Sequence, residues 1–327
     1  MAGEEPVYFC LNRVMNILTS TYGSYQSYIL KNPITGDEVH ILPELGGIIR
    51  QLTLTKEGES FTVIDTPADA EAFGANPKYA SAFLFPWPSR IKDGHYTYRG
   101  ESYQLPINEP EKQAAIHGIV HHENFEVVEE WTSVSAAGIR LRYEHDGSYE
   151  GYPFPFRFEI RYELLSTGKL DIMPQAVNTG GETMPVALGW HPYFQLPGGT
   201  VDDWTIYFPA ARQIHLDDAF MMPAGSEPFD ATEGYKLKNR SLDAIYQLNE
   251  AGYLTQLVSA KQGVTLNLEY TRGEGKVNYQ VVYTFPDRQR VAMEPLTANV
   301  NAFNNGEGLY ELQPEETYQM NYQVYLS

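Results

Sequence analysis

A carboxylate and an imidazole stand out among surroundings that would ordinarily exclude them. Glu294 sits in Val291-Ala292-Met293-Glu294-Pro295-Leu296-Thr297. An apolar run of this kind strips water from a charge, so an acid within it is either paired in a structural contact or used as a base. His191 sits in Gly189-Trp190-His191-Pro192-Tyr193-Phe194, an imidazole held between aromatic and constrained residues. A histidine so placed is either a satisfied structural residue or a general acid or base, because imidazole exchanges a proton near neutral pH. The neighbouring aromatics offer faces on which a sugar ring can stack.

Three further positions carry related signals. Arg90 follows Phe85-Pro86-Trp87-Pro88-Ser89 and precedes Asp93-Gly94. Two prolines stiffen the approach, which suits either a surface loop with a structural ion pair or a rigid mount for a guanidinium donor. His117 follows Ala114-Ala115-Ile116 and precedes Gly118, whereas His121 and His122 read as ordinary surface residues. Their spacing does not form a His-Glu-x-x-His metal helix, and Glu123 is the one adjacent carboxylate. Asp243, in Ser241-Leu242-Asp243-Ala244-Ile245-Tyr246, is a weaker instance of an acid beside apolar residues.

The elements that must position these groups are strands. Phe156, Phe158, Ile160, Tyr162 and Leu164 alternate with Arg157, Glu159, Arg161 and Glu163, which sends apolar and charged groups to opposite faces. The same period recurs in Ile139-Leu141-Tyr143, in Val264-Leu266-Leu268-Tyr270 and in Tyr318-Met320-Tyr322-Val324. Turn signals such as Asp146-Gly147, Pro197-Gly198-Gly199 and Asn305-Gly306 separate the runs. Helical periodicity is weak, with one short helix expected around Ala68 to Phe73. The pattern predicts an all-β protein of antiparallel sheets with few short helices, in one domain spanning residues 1–327.

Composition narrows the partners. The chain of 327 residues has 42 acidic and 23 basic side chains, a formal charge of −19. That surface repels nucleic acid and anionic membranes. Cys10 is the single cysteine, which excludes an intramolecular disulfide. No signal peptide or bilayer-length apolar run is visible, so a cytoplasmic protein is expected. No phosphate loop, nucleophile elbow or kinase signature is present.

Taken in order and spacing, the Arg90 loop, His117-Gly118, Gly189-Trp190-His191-Pro192-Tyr193-Phe194 and Glu294-Pro295 resemble the aldose 1-epimerase, or galactose mutarotase, family. The likeness runs from Gly46-Gly47 to the C-terminal strands. It implies a large antiparallel β-supersandwich with an open cleft, no cofactor and no metal. His191 would then be the general acid at the ring oxygen and Glu294 the general base at the anomeric hydroxyl. His117 would assist at the ring oxygen or bind the sugar, and Arg90 and Asp243 would hold hydroxyl groups. Ser89 stands where many members carry Asn, and Ile119 where a second glycine is frequent. The expected partner is a small-molecule sugar, with no nucleic acid or membrane, for a monomer or homodimer. Rival functions are a hexose-6-phosphate 1-epimerase drawing charge from Arg90, Lys92 and Arg212, a non-catalytic carbohydrate-binding protein, and a lyase or hydrolase on a similar scaffold.

Overall fold

The alternating runs form long hairpins. In the computed structural model, which describes residues 14–66, 70–74, 76–250, 252–271 and 275–327, Phe156–Leu165 pairs in antiparallel register with Ala136–His145 and with Lys169–Asn178. These strands belong to a ten-stranded sheet that runs from Glu126–Thr132 to Ala231–Lys236. An eight-stranded sheet lies against it, and a five-stranded meander covers residues 16–65. The architecture is a large antiparallel β-supersandwich, and the described residues include two short α-helices, Ala70–Gly74 and Ala302–Asn305. The first helix overlaps the expected one at its C-terminal end; Ala68, like Cys10, lies outside the described residues. No helix among the described residues is long and apolar enough to cross a membrane.

The core sits between the sheets. Phe156, Phe158, Ile160, Tyr162 and Leu164 have no solvent exposure, and each such side chain contributes roughly 1.5–3 kcal/mol by leaving water. Phe158 meets Phe83 and Phe85 of the opposing layer at ring-centroid distances of 6.2 and 5.0 Å. The buried Tyr162 hydroxyl donates to the Gly47 carbonyl at 2.7 Å, so its polar end is satisfied. Glu159 departs from the expected open polar face, because it is buried. It accepts hydrogen bonds from Arg142 at 2.7 Å and from Gln175 at 2.6 Å, which compensate its lost hydration.

The segment Phe85–Ser89 also differs from a surface loop. Phe85, Trp87 and Ser89 are buried, and the Phe85 carbonyl accepts from the Ile119 N–H at 2.7 Å. Gly118 lies between, with φ +72°, and a Cβ there would stand 2.2 Å from the Phe85 oxygen. Only glycine allows the two segments to approach so closely. Ile119, in turn, is a buried core residue, which accounts for an apolar side chain at that position.

Gly118→Ala is therefore expected to lower unfolding free energy by about 3 kcal/mol, and Gly36→Ala by about 1 kcal/mol. Gly36 has a φ of +86° but nothing within 4 Å of its added Cβ. Denaturant unfolding checks the pair, and equal losses would contradict the close-approach argument.

Candidate active site

Strand parity delivers the acid and the imidazole to one face. Val291–Leu296 pairs with Tyr279–Thr284, which pairs with Asp243–Leu248. Glu294 lies opposite Val281, and Asp243 opposite Tyr283, so Asp243, Tyr283, Val281 and Glu294 share a face. Met293 takes the opposite parity and is fully buried in the core. On the other side, Gly189 pairs with Leu296, and continuing that antiparallel register sets His191 beside Glu294. Trp190, of opposite parity to His191, points into the core against Phe83 and Tyr322. Of the aromatics flanking His191, Tyr193 lines the cleft, whereas Trp190 and Phe194 are core residues.

Arg90 and His117 arrive from a two-stranded ribbon, Arg90–Lys92 with Ala114–Ile116, in which Arg90 opposes Ile116. The ribbon ends in a reciprocal lock. The His117 N–H donates to the Ser89 carbonyl at 3.0 Å, and the Ser89 N–H donates to His117 Nδ1 at 3.1 Å. Ser89 and His117 both have left-handed backbone, with φ of +57° and +69°. Non-glycine residues hold such angles only where surrounding contacts fix them, and these cluster at functional sites. Because Nδ1 accepts, the neutral ring carries its proton on Nε2 and can donate from there.

The resulting cleft has a volume of about 250 Å³ and is lined by Arg90, His117, His191, Asp243 and Glu294, all five site residues expected from sequence. Its wall also includes Tyr79, Lys78, Glu109 and Tyr283, which sequence reasoning missed. Nothing in Asn108-Glu109-Pro110 or Pro77-Lys78-Tyr79 marks these residues beyond a turn. Tyr79 stands edge-on to His117, with centroids 4.5 Å apart, and the Tyr193 hydroxyl donates to the Lys78 carbonyl at 3.3 Å. Among the described residues no group of three or more His, Cys, Asp or Glu is arranged to hold a metal ion.

At the floor, His191 Nε2 lies 3.3 Å from Glu294 Oε1, with residue exposures of 7% and 3%. Burial pushes the Glu294 carboxyl well above the usual carboxylate range; the Asp243 charge pushes the same way and Arg90 opposes it. Burial also brings the His191 imidazole down to about 4. Both shifts favour the uncharged form of each group. The His117 imidazole is lowered well below its ordinary value, first by burial and then by His191, His121 and Arg90. Asp243 is open to solvent through the cleft mouth yet closely surrounded by protein. That partial desolvation raises its pKa, while Arg90 pulls it down.

His121 departs from the surface placement expected of it. It is buried, its ring lies 5.1 Å from Tyr79, and burial pushes it down to about 3; His122 is exposed.

Comparison with known proteins defines the class. A solved galactose mutarotase-like protein of Clostridium acetobutylicum superposes with a TM-score of 0.85 at 21% identity, covering 97% of this chain and 99% of that one. Galactose 1-epimerase of Lactobacillus acidophilus superposes with a TM-score of 0.79 at 18% identity, covering 96% and 98%. The fold is that of the galactose mutarotase type. In sequence, the Escherichia coli K12 protein YihR is 28% identical over 249 residues, 74% of this chain and 77% of that one. The aldose 1-epimerase family model matches residues 27–325, and the chain belongs to that family.

The buried histidines give a stability prediction with a definite sign. An unfolded histidine takes up its proton near pH 6.5, while folded His121 resists protonation to about pH 3. Below pH 6.5 the unfolded chain binds the extra proton, so stability present above that value is lost as pH falls. His121→Gln is expected to flatten the decline between pH 6 and 4 by up to about 1.4 kcal/mol per pH unit. Unfolding free energies across that window check this, and parallel curves would contradict it.

Proposed function

We propose that the protein is an aldose 1-epimerase that interconverts the α and β anomers of a free hexose. The observation that carries this reading is the buried His191–Glu294 contact at 3.3 Å, opening into a cleft lined by hydrogen-bonding groups. Opening a cyclic hemiacetal requires loss of a proton at the anomeric oxygen and gain of one at the ring oxygen. A base and an acid fixed on either side of that carbon perform both transfers together.

One shared proton meets this need. When it moves from Glu294 to His191, the pair becomes carboxylate and imidazolium. Glu294 then takes the proton of the anomeric hydroxyl, and His191 gives its proton to the ring oxygen. The carbon–oxygen ring bond breaks, the aldehyde forms, and the pair returns to neutral imidazole and carboxylic acid. Rotation about the bond between the first two carbons presents the other carbonyl face, and the reverse transfers close the other anomer. Protons balance through the cycle, and no electrons are lost or gained. His117, with Nε2–H free to donate, assists at the ring oxygen or an adjacent hydroxyl. Arg90 and Asp243 hold hydroxyl groups, and Tyr79 and Tyr193 wall the cleft.

Charge at the wall favours a free sugar over a phosphorylated one. Lys92 stands 5.0 Å over the Phe220 ring, and Arg212 donates to Ser226 at 2.9 Å; neither lines the cleft. Arg90 is already engaged by Glu109, and the second cation on the wall, Lys78, is offset by Asp243.

Anomer exchange measured by NMR on equilibrated glucose, galactose and glucose 6-phosphate tests the proposal. The wild type is expected to accelerate exchange of a free hexose, and Glu294→Gln to lose about 10³-fold or more while binding sugar with little change. Folded wild-type protein that accelerates none of them, or a fully active Glu294→Gln variant, would contradict it.

A further inference from the structure

We propose that Glu109 is the specificity-determining residue that makes this cleft select uncharged sugars and reject anionic ones. The proposal rests on the sugar-binding reading of the cleft given above and assigns the selectivity to one side chain. A guanidinium is the natural receptor for phosphate and carboxylate, because its parallel N–H groups match two oxygens at once. In this cleft the Nε–Nη2 edge of that receptor is already occupied. Arg90 Nε donates to Glu109 Oε2 at 2.6 Å and Arg90 Nη2 donates to Glu109 Oε1 at 2.8 Å.

Glu109 is held in place by the same ribbon that carries Arg90. Its N–H donates to the Ala114 carbonyl at 3.1 Å, and the Ala114 N–H donates back at 3.2 Å. Its neighbour Asn108 brackets Ile116, the residue opposite Arg90, accepting from its N–H at 2.7 Å and donating to its carbonyl at 3.0 Å. The carboxylate is therefore mounted on the Arg90 frame, and an incoming anion must displace it to pair with the Nε–Nη2 edge.

The charges lining the cleft close the argument. The described cations are Lys78 and Arg90, and the carboxylates beyond the His191–Glu294 pair, read above as sharing one proton, are Glu109 and Asp243. Two positive groups face two negative ones. An anionic sugar adds a negative charge to a cleft that already holds Glu109 and Asp243, and the Arg90 edge best shaped to receive it is occupied. An uncharged sugar needs only the hydrogen bonds these groups still offer.

The test measures dissociation constants and anomer-exchange kcat/KM for glucose, glucose 6-phosphate, galactose and galacturonate with wild type, Glu109→Gln and Glu109→Ala. The wild type is expected to favour the uncharged member of each pair. Both variants are expected to shift that preference about tenfold or more toward the anionic member, chiefly through affinity. Glu109→Gln keeps the shape and removes the charge, so it separates selectivity from folding. An unchanged preference while affinity for both classes falls together would overturn the proposal and leave Glu109 a structural support. Wild-type preference for the anionic sugars, or binding of neither class, would also overturn it. Sugar binding with the expected shift but no anomer exchange would instead count against the epimerase reading alone.

Discussion

The contact between His191 and Glu294 is the constraint on which the rest of the structure turns. Each group is ionisable, each is buried, and either one ionised alone would carry a large desolvation cost. Together they need carry no net charge, provided one proton is shared across the 3.3 Å gap. That arrangement demands neighbouring strands in fixed register, since a slip of one residue would turn Glu294 into the core and Met293 into the cleft. The packing that prevents the slip is the inter-sheet core, where Trp190 stacks on Phe83 and Tyr322 and Met293 is fully enclosed.

The surrounding charges act on this pair in opposite directions. Asp243 raises the Glu294 carboxyl further, and Arg90 lowers it. Glu109 sits on Arg90 and Lys78 faces the same space, so the cleft combines strong local dipoles with little net charge. Such a site can stabilise the brief separation of charge within the His191–Glu294 pair without binding ions tightly. The Ser89–His117 lock serves a related purpose. It fixes the imidazole tautomer through Nδ1 and leaves Nε2–H directed by backbone geometry rather than by a mobile side chain.

Much of this was legible in the chain, and the rest was hidden for physical reasons. Alternation exposed the strands because a face buried in the core forces a period of two, as in Phe156 to Leu164. Glu294 and His191 were visible because their apolar and aromatic neighbours make an ionisable group conspicuous. The placement of Trp190 away from the cleft follows from the same parity that presents His191, although the two are adjacent in one aromatic run of the sequence. Glu109 and Tyr79 left no trace, since each lies in a short polar turn whose partner is set by tertiary pairing. The burial of His121 was equally hidden, because Tyr79 packs against it from more than 40 residues away in a loop with no periodic signal.

The most direct test of the shared proton is the pH dependence of kcat/KM for anomer exchange by the wild-type protein. One proton on the pair predicts a bell-shaped profile, with rate lost on the acid side as a second proton binds and on the alkaline side as the shared one leaves. A profile that rises to a plateau through a single ionisation, or one flat from acid to alkaline pH, would contradict it.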